Sequence, residues 1–156
     1  MQIFKLFGSI VLTVGTGALA GWITAGESSS TWYQELDKPW FNPPPAVFAP
    51  VWTALYILMG IAFFLVWQRP KTASRQRAIY LFLFQLLLNF IWNPIFFKSH
   101  NLLLAVIDII LLLFFIVATI VAFHKISRAA AWLLVPYLLW VCFATVLTVT
   151  IWMGNT

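Results

Sequence analysis

The chain reads as an all-α membrane protein, a five-transmembrane-helix bundle, and three observations predict this. The first is composition. Of 156 residues, 63% are apolar and 8% are charged, with a mean hydropathy of +0.96. A soluble domain of this length exposes too much of its surface to hide so much apolar area, so lipid must be the solvent. The second is the spacing of the ionisable side chains. They leave five apolar runs, at 6–26, 39–68, 78–97, 101–123 and 129–153, with Asp108 the one interruption. Each reaches the ~20 residues that cross a bilayer as a helix. The runs are continuous instead of alternating with period two, which excludes a lipid-embedded barrel. The third is where the charges fall. The net charge is +5, yet Lys5, Arg69, Lys71, Arg75, Arg77, Lys125 and Arg128 all lie on one side of a five-span arrangement, leaving Lys38 and Lys98 on the other. This is a topology signal that puts the N-terminus on the cytoplasmic, positive side. It is not a nucleic-acid footprint, and no nucleic-acid partner is expected.

The first helix is expected at about 3–25. Lys5 followed by an apolar run and Ala18-Leu19-Ala20 also resembles a cleavable leader, but the run continues to Ile23. Gly17-Ala18-Leu19-Ala20-Gly21 is a small-residue face that lets another helix approach closely, either inside the bundle or across a dimer seam.

A structured loop follows over 26–45. Three acids (Glu27, Glu35, Asp37) against Lys38 give it a net charge of −2. Ser28-Ser29-Ser30-Thr31 offers N-caps, predicting a helical turn over 32–36. Asn42-Pro43-Pro44-Pro45 must be extended, since each proline fixes φ and disfavours helix in the residue before it. A stiff aromatic loop costs little entropy to hold over a ligand.

The second helix is expected at about 46–68. The third is expected at 76–97, with Arg69, Lys71, Arg75 and Arg77 crowding the second loop and the junction with this helix. Its Gln85, Asn89 and Asn93 recur every four residues and drift by about 40° per step, so they share a face with Trp92. An unpartnered amide in hydrocarbon costs several kcal/mol, so this stripe faces inward, as interhelical glue, as a ligand-binding wall, or both. The fourth helix, at 101–123, carries Asp108 about 10 Å deep. Intramembrane acids usually face the protein interior and mark function. No basic residue shares its depth, so hydrogen bonds from Trp, Tyr or Thr are the expected partners. The fifth helix, at 129–153, should kink at Pro136. Its Trp140, Phe143 and Ala144 follow helical spacing, and the small Ala144 leaves room beside the Trp140 indole. Residues 1–156 then form a single integral membrane domain.

Of nine tryptophans, Trp22, Trp67, Trp132 and Trp152 suit the interfacial belt, whereas Trp32, Trp40, Trp52, Trp92 and Trp140 do not. Cys142, the sole cysteine, allows no intrachain disulfide and reads as a small lipid- or helix-facing residue. No nucleophile elbow, HExxH, phosphate loop or CxxC is present. His100 and His124 fall on opposite sides as solvated loop residues. No metal site is expected.

Four stretches resemble the translocator protein family, also called the tryptophan-rich sensory protein, peripheral benzodiazepine receptor or TspO/MBR family. They are Trp32-Tyr33-x3-Asp37-Lys38-Pro39, Asn42-Pro43-Pro44-x3-Phe48-x3-Trp52-x2-Leu55-Tyr56, Gln85-x3-Asn89-x2-Trp92-x-Pro94-x-Phe96-Phe97 and Pro136-Tyr137-x2-Trp140-x2-Phe143-Ala144. The resemblance implies a five-helix bundle that forms a homodimer, with a pocket beneath the first loop. That pocket would take a porphyrin such as protoporphyrin IX, bound non-covalently, or isoquinoline- and benzodiazepine-type molecules. By motif position its residues are Trp32, Tyr33, Pro43, Trp52, Tyr56, Asn93, Phe96, Trp140 and Ala144. To these the residue-level reading adds Asn89, Trp92, Asp108 and Phe143. Thr148 stands where relatives commonly carry Asn. No basic residue follows Tyr137, so the cholesterol motif of animal members is incomplete, cholesterol is not an expected partner, and the chain looks bacterial-like. The implied function is a porphyrin-binding sensor or regulator of tetrapyrrole levels or stress response. The alternatives are a photo-oxidative porphyrin-degrading enzyme working through Trp52 and Trp140, or a transporter of porphyrins and small amphiphiles.

Overall fold

The computed structural model describes residues 1–156. Its helices are α1 (Gln2–Ile23), α2 (Thr31–Glu35), α3 (Pro45–Trp67), α4 (Ala73–Phe97), α5 (Leu102–His124), α6 (Arg128–Leu133) and α7 (Val135–Gly154). With α6 and α7 counted as one span, five helices are long and apolar enough to cross a membrane.

Local chemistry sets the boundaries. Helix α1 stops at Ile23, two residues before the expected end, where the Thr24 hydroxyl bonds back to the Ala20 carbonyl at 2.9 Å. Gly26 then turns the chain with φ +82°, a backbone state that suits glycine. Ser30 caps α2 by accepting from Tyr33 N at 3.3 Å. Pro45 is not part of the extended stretch but the first residue of α3, where its fixed φ and missing N–H are tolerated.

Helix α4 begins at Ala73, earlier than expected, because the Thr72 hydroxyl accepts from Arg75 N at 3.1 Å. Arg75 and Arg77 therefore belong to the helix and not to the loop. Arg75 is only 5% exposed and donates from Nη2 to the Trp67 carbonyl at 2.7 Å, where a cation meets the negative end of α3. Asn101 caps α5 by accepting from Leu104 N at 2.9 Å. The expected kink at Pro136 is a full interruption: α6 ends at Leu133 and α7 restarts at Val135, with proline in its first turn.

Contacts run α1–α3, α3–α6 and α7, α7–α5, α5–α4 and back to α1, a closed ring of spans. Met59, Phe82, Ile116, Phe123 and Tyr137 fill its centre and are fully buried. The outer surface stays apolar. Leu103, Ile107, Ile110, Phe114, Val117 and Val121 form an exposed stripe along α5, and Cys142 is exposed on α7. Both suit a hydrocarbon solvent.

Helices α1 and α3 cross closely between Ile10 and Gly17 on one side and Tyr56 and Gly60 on the other. A Cβ built on Gly60 falls 2.8 Å from Ile10 Cα, and one on Gly17 runs into the Tyr56 ring. The Thr13 hydroxyl donates across the crossing to the Tyr56 carbonyl at 2.7 Å. Gly21 has nothing within 4 Å of its Cβ position, so the small-residue face of α1 packs inside the bundle at Gly17 and stands open at Gly21.

Candidate functional site

A cavity of about 530 Å³ lies under the 24–44 loop and reaches into the loop-side half of the bundle. Aromatic residues dominate its wall. The Trp52 indole from α3 meets Trp140 from α7 edge to face, with centroids 6.5 Å apart and planes at 89°. Tyr56 lies one turn below Trp52 at 5.6 Å. Phe48 approaches Trp140 at 6.1 Å, and Trp92 stacks on Phe96 at 4.9 Å and 15°. Ala144 lines the cavity beside Trp140, where its small side chain leaves the expected space.

The amide stripe divides by depth. Tyr56 Oη donates to Asn89 Oδ1 at 2.5 Å, Asn89 Nδ2 donates to Tyr137 Oη at 2.9 Å, and Tyr137 Oη donates to Gln85 Oε1 at 2.8 Å. This chain closes the cavity floor and ties α3, α4 and α7 together. Asn93, one turn nearer the loop, stands at the cavity wall outside that network. Trp92 Nε1, Trp140 Nε1 and Asn42 Oδ1, all on lining residues, have no partner within the chain.

The loop over the cavity is tied down. Glu27 pairs with Lys98 at 2.9 Å. The Asn155 side chain mimics a strand partner, accepting from Asp37 N at 2.9 Å and donating to Asp37 O at 3.0 Å. Lys38 Nζ donates to the Tyr33 and Leu36 carbonyls at 2.7 and 3.1 Å and lies 4.7 Å from the Tyr33 ring centre. Burial raises the Tyr33 phenol above its ordinary value, and the Asn42 side chain beside it offsets part of the rise.

The structure brings Tyr33, Trp52, Tyr56, Asn89, Trp92, Asn93, Phe96, Trp140 and Ala144 together around the cavity. Four expected site residues lie outside its lining. Trp32 is drawn sideways onto His100, stacked at 3.9 Å and 11°, so it fastens the loop, and His100 is an exposed loop residue as expected, with one ring face on Trp32. Pro43 yields its place to Pro45, which opens α3 at the rim. Phe143 backs Trp140 at 5.5 Å and Phe41 at 6.3 Å. Asp108 is buried, 5% exposed, and its Oδ2 receives none of the expected donors. Those hydroxyls are committed elsewhere, Tyr137 to Gln85 and Thr148 to the Ala144 carbonyl at 2.7 Å. Trp40 points away from the bundle and is 94% exposed.

Sequence reasoning missed Asn42, Phe48, Leu147 and Ile151 in the lining, and Lys98, His100 and Asn155 as loop ties. Asn42 and Phe48 sat inside a quoted motif and were readable there. Asn155 carried no signal beyond its place after the last apolar run.

The model of the TspO/MBR family matches residues 9–153. A "Tryptophan-rich protein TspO" of Archaeoglobus fulgidus is 40% identical over 156 residues, 99% of each chain. The "Translocator protein" of Homo sapiens is 40% identical over 126 residues, 80% of this chain and 75% of the human one. The "Tryptophan-rich sensory protein" of Cereibacter sphaeroides is 34% identical over 142 residues, 91% of this chain and 86% of its own.

Proposed function

The chain belongs to the TspO/MBR family, and from that premise we propose that this integral, multi-pass membrane protein binds a tetrapyrrole of the porphyrin class in the cavity beneath the loop, as a sensor or regulator of its level. What supports the reading most is the pair of perpendicular indoles, Trp52 and Trp140, on the cavity wall. A flat macrocycle laid against an indole gains stacking of about 1–3 kcal/mol per aromatic side chain, by analogy with base stacking. The polar periphery of such a ligand needs hydrogen bonds, and Asn93 and the indole N–H groups of Trp92 and Trp140 are uncommitted to the chain's own floor network. The Tyr33 phenol is a further O–H donor in the cavity lining. A tied loop over the cavity holds the bound molecule at low entropic cost.

Titrating detergent-solubilised protein with protoporphyrin IX and following tryptophan quenching tests the proposal. Saturable quenching is expected. Trp52→Ala and Trp140→Ala should each weaken affinity by about 1–3 kcal/mol, or roughly 5- to 150-fold. Unchanged affinity in the double variant, with the protein still folded by circular dichroism, rejects this site.

A further inference from the structure

The cavity wall is uneven in a way that locates its opening. Every lining residue from α4, α5 and α7 is buried or half-buried. The exposed lining residues are confined to one edge: Ala18 and Gly21 of α1, Ala25, Gly26 and Ser28 of the loop start, and Pro45, Ala49 and Thr53 of α3. The loop's ties lie elsewhere, to Lys98 and His100 between α4 and α5 and to Asn155 after α7. Helices α1 and α3 are clamped below by Gly60 against Ile10 and by Thr13 on Tyr56. The close approach extends to Gly17, whose Cβ would run into the Tyr56 ring, and ends before Gly21, whose Cβ would meet nothing within 4 Å.

The gap lies within the bilayer. Ala18 is five residues before the end of α1 and Thr53 eight residues after the start of α3. At 1.5 Å per residue these positions are about 8 and 12 Å below the helix ends, inside a hydrocarbon layer ~30 Å thick. Its edges suit acyl chains. The only side-chain polar group at that depth on the rim, the Thr53 hydroxyl, turns back onto the Ala49 carbonyl at 2.7 Å. The remaining positions are glycine and alanine, which keep the slot thin and free of side chains. A Cβ at Gly21 would meet nothing within 4 Å.

We propose that the slot between the outer halves of α1 and α3 is the ligand's entrance, and that the protein takes a flat amphiphile already dissolved in the outer-side leaflet, edge first, instead of one from water. The ligand's nature rests on the binding reading above, whereas the entrance rests on the geometry alone. The experiment therefore uses a probe that is not a tetrapyrrole. A single thiol is placed in the cavity, Ala144→Cys in a Cys142→Ser background, and the protein is reconstituted in liposomes. A long-chain alkyl maleimide, which partitions into lipid, should label this thiol at least about tenfold faster than a sulfonated membrane-impermeant maleimide, since each methylene favours the bilayer by ~0.8 kcal/mol. Filling the slot with Gly21→Phe and Ala49→Phe should slow the alkyl reagent several-fold. The same pair should not slow labelling of the native, outward-facing Cys142 in an otherwise unaltered chain. Equal rates for the two reagents, no labelling of the cavity thiol by either, or an alkyl rate indifferent to the filled slot overturns the proposal. None of these outcomes touches the porphyrin titration, which stands or falls separately.

Discussion

Asn89 links three spans through its one side chain. It accepts from Tyr56 and donates to Tyr137, joining α3 to α7 through α4. Replacing it with leucine leaves two buried hydroxyls without that partner. Single interhelical bonds in membranes are worth about 0.6–2 kcal/mol, so Asn89→Leu should destabilise the detergent-solubilised protein by roughly 1–3 kcal/mol. Asn93→Leu, outside the network, should leave stability nearly unchanged, and a thermal melt of both variants compares them. The four-residue spacing made the shared face of these amides legible. It did not reveal which would be spent on Tyr137, because spacing fixes a face on one helix and says nothing of the azimuth of another. Asp108 shows the same limit: its depth was readable, while the lack of a donor at Oδ2 depends on where three other helices turn their hydroxyls. At the loop, Tyr33 has a raised phenol pKa through burial. The folded state therefore holds that proton more tightly than the unfolded chain. Its contribution is whole below the unfolded value near 10 and is lost as pH climbs beyond it. The melting temperature should fall at alkaline pH, and Tyr33→Phe should flatten that part of the profile. A Tyr33→Phe profile as steep as the parent's above pH 10 refutes the assignment.

Elements were legible where one residue type dictates the backbone, and less so where two helices negotiate. The five spans were evident from apolar length, and the prolines marked both the start of α3 and the α6–α7 break. The break falls at Leu134 instead of Pro136 because a proline without an N–H fits the first turn of a new helix better than the interior of a continuous one. Gly60 went unremarked, although it sets how closely α1 and α3 approach. Its Cβ would sit 2.8 Å from the backbone of Ile10, which cannot rotate aside. Gly60→Ala should therefore separate the two helices and cost about 1–3 kcal/mol, the usual penalty of overpacking. Gly21→Ala adds a methyl to open space in the last turns of α1. With better helix propensity and no clash, it should be neutral or stabilise by up to about 1 kcal/mol. Chemical or thermal denaturation of the two variants in one detergent measures the contrast. Equal destabilisation would mean that the outer halves of α1 and α3 are also in contact, closing the slot.

For the molecule as a whole, the charge pattern and the cavity position make one argument. The ends bearing Lys5, Arg69, Lys71, Arg75, Arg77, Lys125 and Arg128 carry no acid at all. The opposite ends hold Glu27, Glu35 and Asp37, and also the one ion pair, Glu27 with Lys98. On the rule that Lys and Arg stay cytoplasmic, we propose that the N-terminus lies inside and that the loop, its ties and the α1–α3 slot lie at the outer leaflet. Arg75 is held at the basic end by its hydrogen bond to the Trp67 carbonyl at 2.7 Å. This orientation is an expectation from sequence, because it depends on counts and order alone. The cavity's open edge was not, because it depends on two helices diverging in space. Ser74 and Ser99 are both exposed and mark the two ends of α4. With Cys142→Ser as background, Ser99→Cys should react with an impermeant maleimide in intact cells, while Ser74→Cys should react only after the membrane is permeabilised. The reverse pattern would turn the cavity to the cytoplasm, and the ligand would then have to arrive from the inner leaflet.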